Sequence, residues 1–83
     1  MIKVKNMDVL IKRNARMTVE KFKVKSKKER KRLFNLAYEK LEDLLYDALD
    51  HFNGTADDFF ESDEAYLLFD SLDEYMEKEV KRR

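Results

Sequence analysis

The fold is decided by residues 26–54, which read SKKERKRLFNLAYEKLEDLLYDALDHFNG. Ser26 followed by Glu29 forms a capping box, which satisfies two backbone N–H groups at a helix start. The apolar residues after it recur at spacings of three and four; they are Phe34, Ala37, Tyr38, Leu41, Leu44, Leu45, Ala48, Leu49 and Phe52. Asn53 and Gly54 predict the end of the helix, because glycine adopts the positive φ that closes many helices. The stretch therefore predicts one long amphipathic helix over residues 26–53.

Downstream, residues 55–81 predict a short helix and a final helix. Thr55 is placed to cap the first helix, and Ser62 is placed to cap the second. The final helix has one apolar stripe, formed by Ala65, Leu68, Phe69, Leu72, Tyr75, Met76 and Val80. One helix with a kink is the alternative to two.

Upstream, residues 1–25 alternate apolar and cationic side chains as β-strands do. The apolar positions are Ile2, Val4, Val9, Ile11, Met17, Val19, Phe22 and Val24. Asn14 tolerates the left-handed conformation of a tight turn, so the pattern predicts a two-stranded antiparallel hairpin centred there. A three-stranded meander that turns at residues 6–8 is the alternative. The unpaired hairpin edges would allow two copies to form a homodimer.

The predicted fold class is therefore α+β, with the hairpin first and the long, short and final helices after it. Eighty-three residues suffice for one small core, so we expect a single domain over residues 1–83. The chain has no cysteine, no apolar run long enough to span a membrane and no signal-peptide pattern. These features predict a cytoplasmic protein that does not enter the membrane.

Charge is segregated along the chain, although 18 cationic and 18 acidic residues balance overall. Residues 1–40 hold fourteen Lys and Arg against four acidic residues, and residues 41–83 reverse those numbers. The predicted acidic face comprises Glu39, Asp43, Asp47, Asp50, Asp57, Asp58, Glu61, Asp63, Asp70, Asp73 and Glu77. Four aromatic residues exceed what the core stripes accommodate and suit interface anchors; they are Tyr46, Phe59, Phe60 and Tyr66. This surface predicts binding to the basic site of a nuclease, polymerase or other nucleic-acid-binding protein.

Two other interpretations of the charges stay open. The carboxylates could be solvated helix faces that the chain's own cations neutralise. The cations could instead contact nucleic-acid phosphates; the candidates are Lys3, Lys5, Lys21, Lys23, Lys25, Lys27, Lys28 and Lys31. Direct nucleic-acid binding ranks behind protein binding, because only Phe22 lies among these lysines to stack on a base.

Catalytic chemistry has little support in the sequence. His51 is the only histidine, and its place near the end of the long helix predicts that it caps the helix dipole or lies at a helix junction. No residue spacing matches a nucleophile with its base, a metal site or a calcium loop. We therefore expect a non-enzymatic protein without a metal or cofactor.

The make-up of the chain resembles a known group of proteins. Its basic start, Ile2-Lys3-Val4-Lys5, and its acidic aromatic segment, Asp57-Asp58-Phe59-Phe60-Glu61, resemble the small inhibitor proteins that phages and mobile elements use against host nucleases or polymerases. This group includes anti-CRISPR proteins, anti-restriction proteins and other nucleic-acid mimics. The resemblance implies an inhibitor or adaptor and transfers no residue role. An antitoxin or immunity partner of a basic toxin is an alternative, as is the nucleic-acid-binding protein above.

Overall fold

The computed structural model describes residues 6–81, which form four α-helices. Helix α1 spans Met7–Lys21, α2 spans Lys27–His51, α3 spans Ala56–Phe60 and α4 spans Asp63–Lys81. Helix α2 packs against both α1 and α4, and α3 packs on α4. Because the connections are short, α1 and α4 each run antiparallel to α2. None of the four helices in residues 6–81 combines the length and the hydrophobicity that a membrane-spanning segment needs.

The prediction of an N-terminal β-hairpin is wrong, and the fold class is all-α rather than α+β. The residues at the centre of the predicted hairpin form helix α1. Residues 6–81 contain no strand, so they offer no strand edge that could pair with a second copy. A second pattern sets the structure, because six apolar residues recur at helical spacing and pack in or against the core: Met7, Leu10, Ile11, Ala15, Val19 and Phe22. Val9 and Met17, which the hairpin would bury, are exposed. The hairpin positions in residues 1–5 lie outside the described residues.

Asn14 lies inside α1 instead of at a turn. Its Nδ2 donates a hydrogen bond to the carbonyl oxygen of Leu10 at 2.8 Å. The Thr18 hydroxyl donates to the carbonyl oxygen of Asn14 at 2.9 Å, so both polar side chains bond to the helix backbone. Left-handed backbone occurs at the two ends of α1 instead, at Asn6 with φ 57° and at Lys23 with φ 51°.

The predictions for the other three helices are confirmed by their caps. The Ser26 hydroxyl accepts from the Glu29 N–H at 3.3 Å at the start of α2, which is one half of the predicted capping box, whereas the Glu29 carboxylate accepts from Arg32 Nε at 3.0 Å. Thr55 and Asp58 form a full capping box at the start of α3, with N···O distances of 3.1 and 3.2 Å. The Ser62 hydroxyl accepts from the Ala65 N–H at 3.4 Å at the start of α4. The two caps establish separate helices α3 and α4 in place of one kinked helix.

The core is organised around one stripe of α2. Every fourth residue of this helix from Leu33 to Leu49 is buried: Leu33, Ala37, Leu41, Leu45 and Leu49. Helix α1 adds Ile11, Ala15 and Val19, and the C-terminal helices add Phe59, Ala65, Leu68, Leu72 and Met76. Each of the three long helices turns its apolar side toward this core, and α1 also contacts α4, so the outward faces of these helices carry the charges.

Candidate docking surface at the acidic end

One end of the bundle is formed by the C-terminal half of α2, by α3 and by the N-terminal half of α4. These segments meet because α2 and α4 are antiparallel and α3 joins them. We call residues 42–70 the acidic end, because they hold ten carboxylates and neither Lys nor Arg. The carboxylates are Glu42, Asp43, Asp47, Asp50, Asp57, Asp58, Glu61, Asp63, Glu64 and Asp70. The fold therefore converts the sequence's charge split into a spatial one.

The carboxylates predicted on α2 all lie on its exposed face. Glu39, Asp43, Asp47 and Asp50 are exposed, whereas the buried stripe lies on the other side of the helix. Among these four residues, only Asp47 forms an ion pair within the described part of the chain. Its Oδ1 lies 3.8 Å from His51 Nδ1. His51 Nδ1 also lies 2.9 Å from the Asp47 carbonyl oxygen. This hydrogen bond, and then the Asp47 charge, raise the pKa of His51.

The carboxylates predicted on α3 and on the first half of α4 are exposed as well. They are Asp57, Asp58, Glu61, Asp63 and Asp70. Asp58 accepts the Thr55 N–H, which stabilises the start of α3 without reducing the negative charge. No ion pair of residues 6–81 involves any of the five.

Three residues of the predicted acidic face lie outside the acidic end: Glu39, Asp73 and Glu77. The chain's own lysines neutralise the last two. Lys21 of α1 reaches Asp73 at 3.1 Å, and Lys81 reaches Glu77 at 2.9 Å. The hydrogen bond from Lys81, with its charge, lowers the pKa of Glu77. Within residues 6–81, lysines of the chain therefore neutralise Asp73 and Glu77 but no carboxylate of residues 42–70.

The exposed apolar side chains of the acidic end are Tyr46, Tyr66 and Leu67, with exposed fractions of 45%, 74% and 62%. Each tyrosine lies between two aspartates, three residues before it and four residues after it. Tyr46 has Asp43 and Asp50 at these positions, and Tyr66 has Asp63 and Asp70. Because residues three and four apart are neighbours on a helix, each ring is flanked by carboxylates along its helix. The sequence analysis did not select Leu67 as an interface residue. Its position off the apolar stripe of α4 was the signal that it would be exposed.

Phe59 and Phe60 differ from the prediction. Phe59 is fully buried and makes edge-to-face contacts with Phe52 and Phe60 at ring-centroid distances of 5.3 Å each. Phe60 is partly buried against the same core. Phe59 therefore attaches α3 to the bundle and is not available as an anchor for a partner.

The cations lie mainly away from the acidic end. Among the predicted phosphate contacts, Lys23, Lys25, Lys27, Lys28 and Lys31 are exposed around the α1–α2 connection, and Lys21 is paired with Asp73. Lys3 and Lys5 lie outside the described residues. Three exposed cations on α1 were not selected from the sequence: Lys12, Arg13 and Arg16. They share one outward face with Val9 and Met17 only because this segment is helical.

Residues 6–81 contain no group of three or more His, Asp or Glu side chains arranged to hold a metal ion. The chain matches no protein-family model, no curated protein and no solved structure. The function is therefore argued from the charges and exposed side chains described above.

Proposed function

We propose that this chain is a non-enzymatic protein-binding inhibitor or adaptor. Its acidic end occupies a positively charged site on a nucleic-acid-handling protein. One observation carries the proposal: residues 42–70 hold ten carboxylates with neither Lys nor Arg among them, and three large apolar side chains are exposed there. Such a partner, and the absence of cysteine, favour a place in the cytoplasm.

The acidic end combines the two features that such binding needs. Its uncompensated negative potential would steer a basic partner into contact and would favour it over acidic proteins. Tyr46 and Tyr66 add rigid, amphipathic contact area, which is common among the residues that dominate binding energy. Like charges at neighbouring helical positions destabilise the fold slightly. The carboxylates of the acidic end therefore do not serve the stability of the domain, which favours a role in binding.

The proposal is tested by competition with nucleic acid. A labelled DNA duplex is bound in turn to a purified restriction endonuclease, an RNA-guided nuclease and an RNA polymerase. The chain is then added while fluorescence anisotropy is measured. We expect release of the duplex from at least one of these proteins, and weaker release at high salt because screening shortens the range of the charges.

Two matched variants identify the surface responsible. Asp43→Asn with Asp70→Asn removes two unpaired charges at the acidic end and should weaken the release. Asp73→Asn with Glu77→Gln removes two charges that the chain's own lysines already compensate, and it should release the duplex as the parent does. Equal loss in both variants, or no release from any of the three proteins, would contradict the proposal.

The alternative, direct binding of nucleic acid by the cations of α1 and the start of α2, has its own outcome in this experiment. Lys12, Arg13 and Arg16 are exposed on α1, which gives that alternative a specific surface. Under it, the chain would raise the anisotropy of the free duplex when no other protein is present. The proposal predicts no such rise.

A further inference from the structure

The outward face of α1 is a second surface of unusual composition. We call Val9, Lys12, Arg13, Arg16 and Met17 the basic face of α1. Val9 and Met17 are 50% and 53% exposed, and the three cations between them are exposed too. No ion pair or side-chain hydrogen bond of residues 6–81 involves any of these three cations. The basic face is therefore charged, partly apolar and without an internal partner.

The exposed apolar side chains of the described residues fall on just two surfaces. Val9 and Met17 belong to the basic face, and Tyr46, Tyr66 and Leu67 belong to the acidic end. Each surface combines large apolar side chains with charges of one sign, and the two signs are opposite. The two surfaces thus complement each other in charge and in apolar character, which is the composition expected of the two sides of one interface.

We propose that the basic face of α1 binds the acidic end of a second copy of this chain. Both surfaces point outward from one compact bundle, so they meet between molecules and not within one. A pair of copies related by a two-fold axis makes the contact twice, and it leaves neither surface of either copy open. The interface places Arg13 and Arg16 against aspartates that have no ion pair of their own within the described part of the chain.

Nucleic acid is the other ligand that cations invite, but the basic face suits it less well. Phosphate contacts gain nothing from Val9 or Met17, and the face has no aromatic side chain to stack on a base. Apolar side chains flanking arginines fit instead a folded surface that offers rings and carboxylates together.

The self-contact does not depend on the proposed function, but it uses the same acidic end. A foreign partner would have to displace the second copy, so dimer and complex would compete. The two proposals fail separately, because the self-contact is measured on the pure chain and inhibition is measured on a foreign protein.

The test is sedimentation equilibrium of the pure 83-residue chain over a dilution series. At about 0.01 M salt, where charges act over about 30 Å, we expect a mass twice the 10.1 kDa of one chain. At about 1 M salt, where that range falls to about 3 Å, we expect a shift toward one chain. A single-chain mass at low salt and at every concentration would overturn the proposal.

Charge reversal makes the test specific. Arg13→Glu with Arg16→Glu reverses the net charge of the basic face, and Asp43→Lys with Asp70→Lys reverses two charges of the acidic end, one beside each exposed tyrosine. Each variant alone should lose the dimer, whereas an equal mixture of the two should regain it, since each mutated surface then meets its new complement. A control with Lys27→Glu and Lys28→Glu carries the same net charge as the basic-face variant and should stay dimeric.

Three results would refute the assignment of these surfaces: a mixture that stays monomeric, a control that dissociates, or a mass that rises only when a DNA duplex is added. All the substituted side chains are exposed, so helicity measured by circular dichroism should be unchanged. If a reversed variant did lose helicity, the neutral variants Arg13→Gln with Arg16→Gln and Asp43→Asn with Asp70→Asn would replace it. Each should weaken the dimer severalfold, and an undiminished dimer in both would overturn the proposal.

Discussion

Val9 and Ile11 are two residues apart in sequence and end on opposite faces of α1. Ile11 is buried in the core, whereas half of Val9 is exposed. A strand would place both side chains on one face, because its side chains repeat every second residue, but a helix separates them. This pair therefore distinguishes the helix from the predicted hairpin at the level of single residues.

The two alanine substitutions at these positions should differ widely in effect. Ile11→Ala should lower the free energy of unfolding by about 2–5 kcal/mol, because it leaves a cavity among buried side chains. Val9→Ala should change it by no more than about 0.5 kcal/mol, as is usual at the surface. Urea denaturation measures both. Similar losses in the two variants would favour the strand.

His51 gives the fold a specific pH dependence. Its pKa is raised in the folded chain by the hydrogen bond to the Asp47 carbonyl oxygen and by the Asp47 carboxylate. A raised pKa means that the protonated ring stabilises the fold. This stabilisation is complete below the ordinary pKa of about 6.5, and it is lost as the pH rises through the raised value.

Replacing His51 by Gln should remove that part of the pH dependence. Since this is the only histidine, no other histidine masks the effect. The parent should lose a small amount of thermal stability as the pH rises above about 6.5, and His51→Gln should lose less over the same range. A variant as pH-sensitive as the parent would show that the contact with Asp47 does not form in solution.

Among the four helices, α3 should be the easiest to destabilise, because it has only five residues. Its start depends on the Thr55–Asp58 capping box, and its one fully buried side chain is Phe59. Thr55→Ala should lower the free energy of unfolding by about 0.5–2 kcal/mol, the usual effect of losing a cap. Thr55→Ser, which keeps the hydroxyl, should restore most of the loss in the same denaturation experiment. Equal losses would mean that the hydroxyl bond does not hold α3.

The elements also show how far the sequence determines the fold. Helices α2, α3 and α4 were predictable because capping residues and apolar spacing agree, as at Ser26 and Thr55. Helix α1 was not predictable, because Val9, Ile11, Thr18 and Val19 are β-branched and because apolar residues alternate with other residues along much of the segment. The decisive signal was the overlapping set at helical spacing, from Met7 to Phe22, which includes the small residue Ala15.

The candidate docking surface was also predictable only in part. Exposed carboxylates on α2 follow directly from the apolar stripe, because they occupy the opposite face of the helix. The pairing of Asp73 with Lys21 depends on the packing of α1 beside α4, so it could not be read from residues 52 positions apart. The burial of Phe59 depends in the same way on how α3 folds back onto the bundle.

At the scale of the whole molecule, a chain of zero net charge presents two surfaces of opposite sign. The fold places the acidic end on α2, α3 and α4, and it places the basic face on the outside of α1. The central claim is that the acidic end is an anionic surface that the chain's own Lys and Arg do not compensate, and that it meets cations from another molecule. Binding there should be local, whereas a uniformly solvated charge distribution would bind cations diffusely.

The most direct test is a titration of the isotopically labelled chain with a short oligoarginine peptide, followed by amide chemical shifts in two-dimensional NMR. The account predicts that the largest shift changes lie within residues 42–70, around Tyr46, Tyr66 and Leu67, and that added salt reverses them. Changes that are equally large around Asp73 and Glu77, or that spread evenly over all the helices, would contradict it.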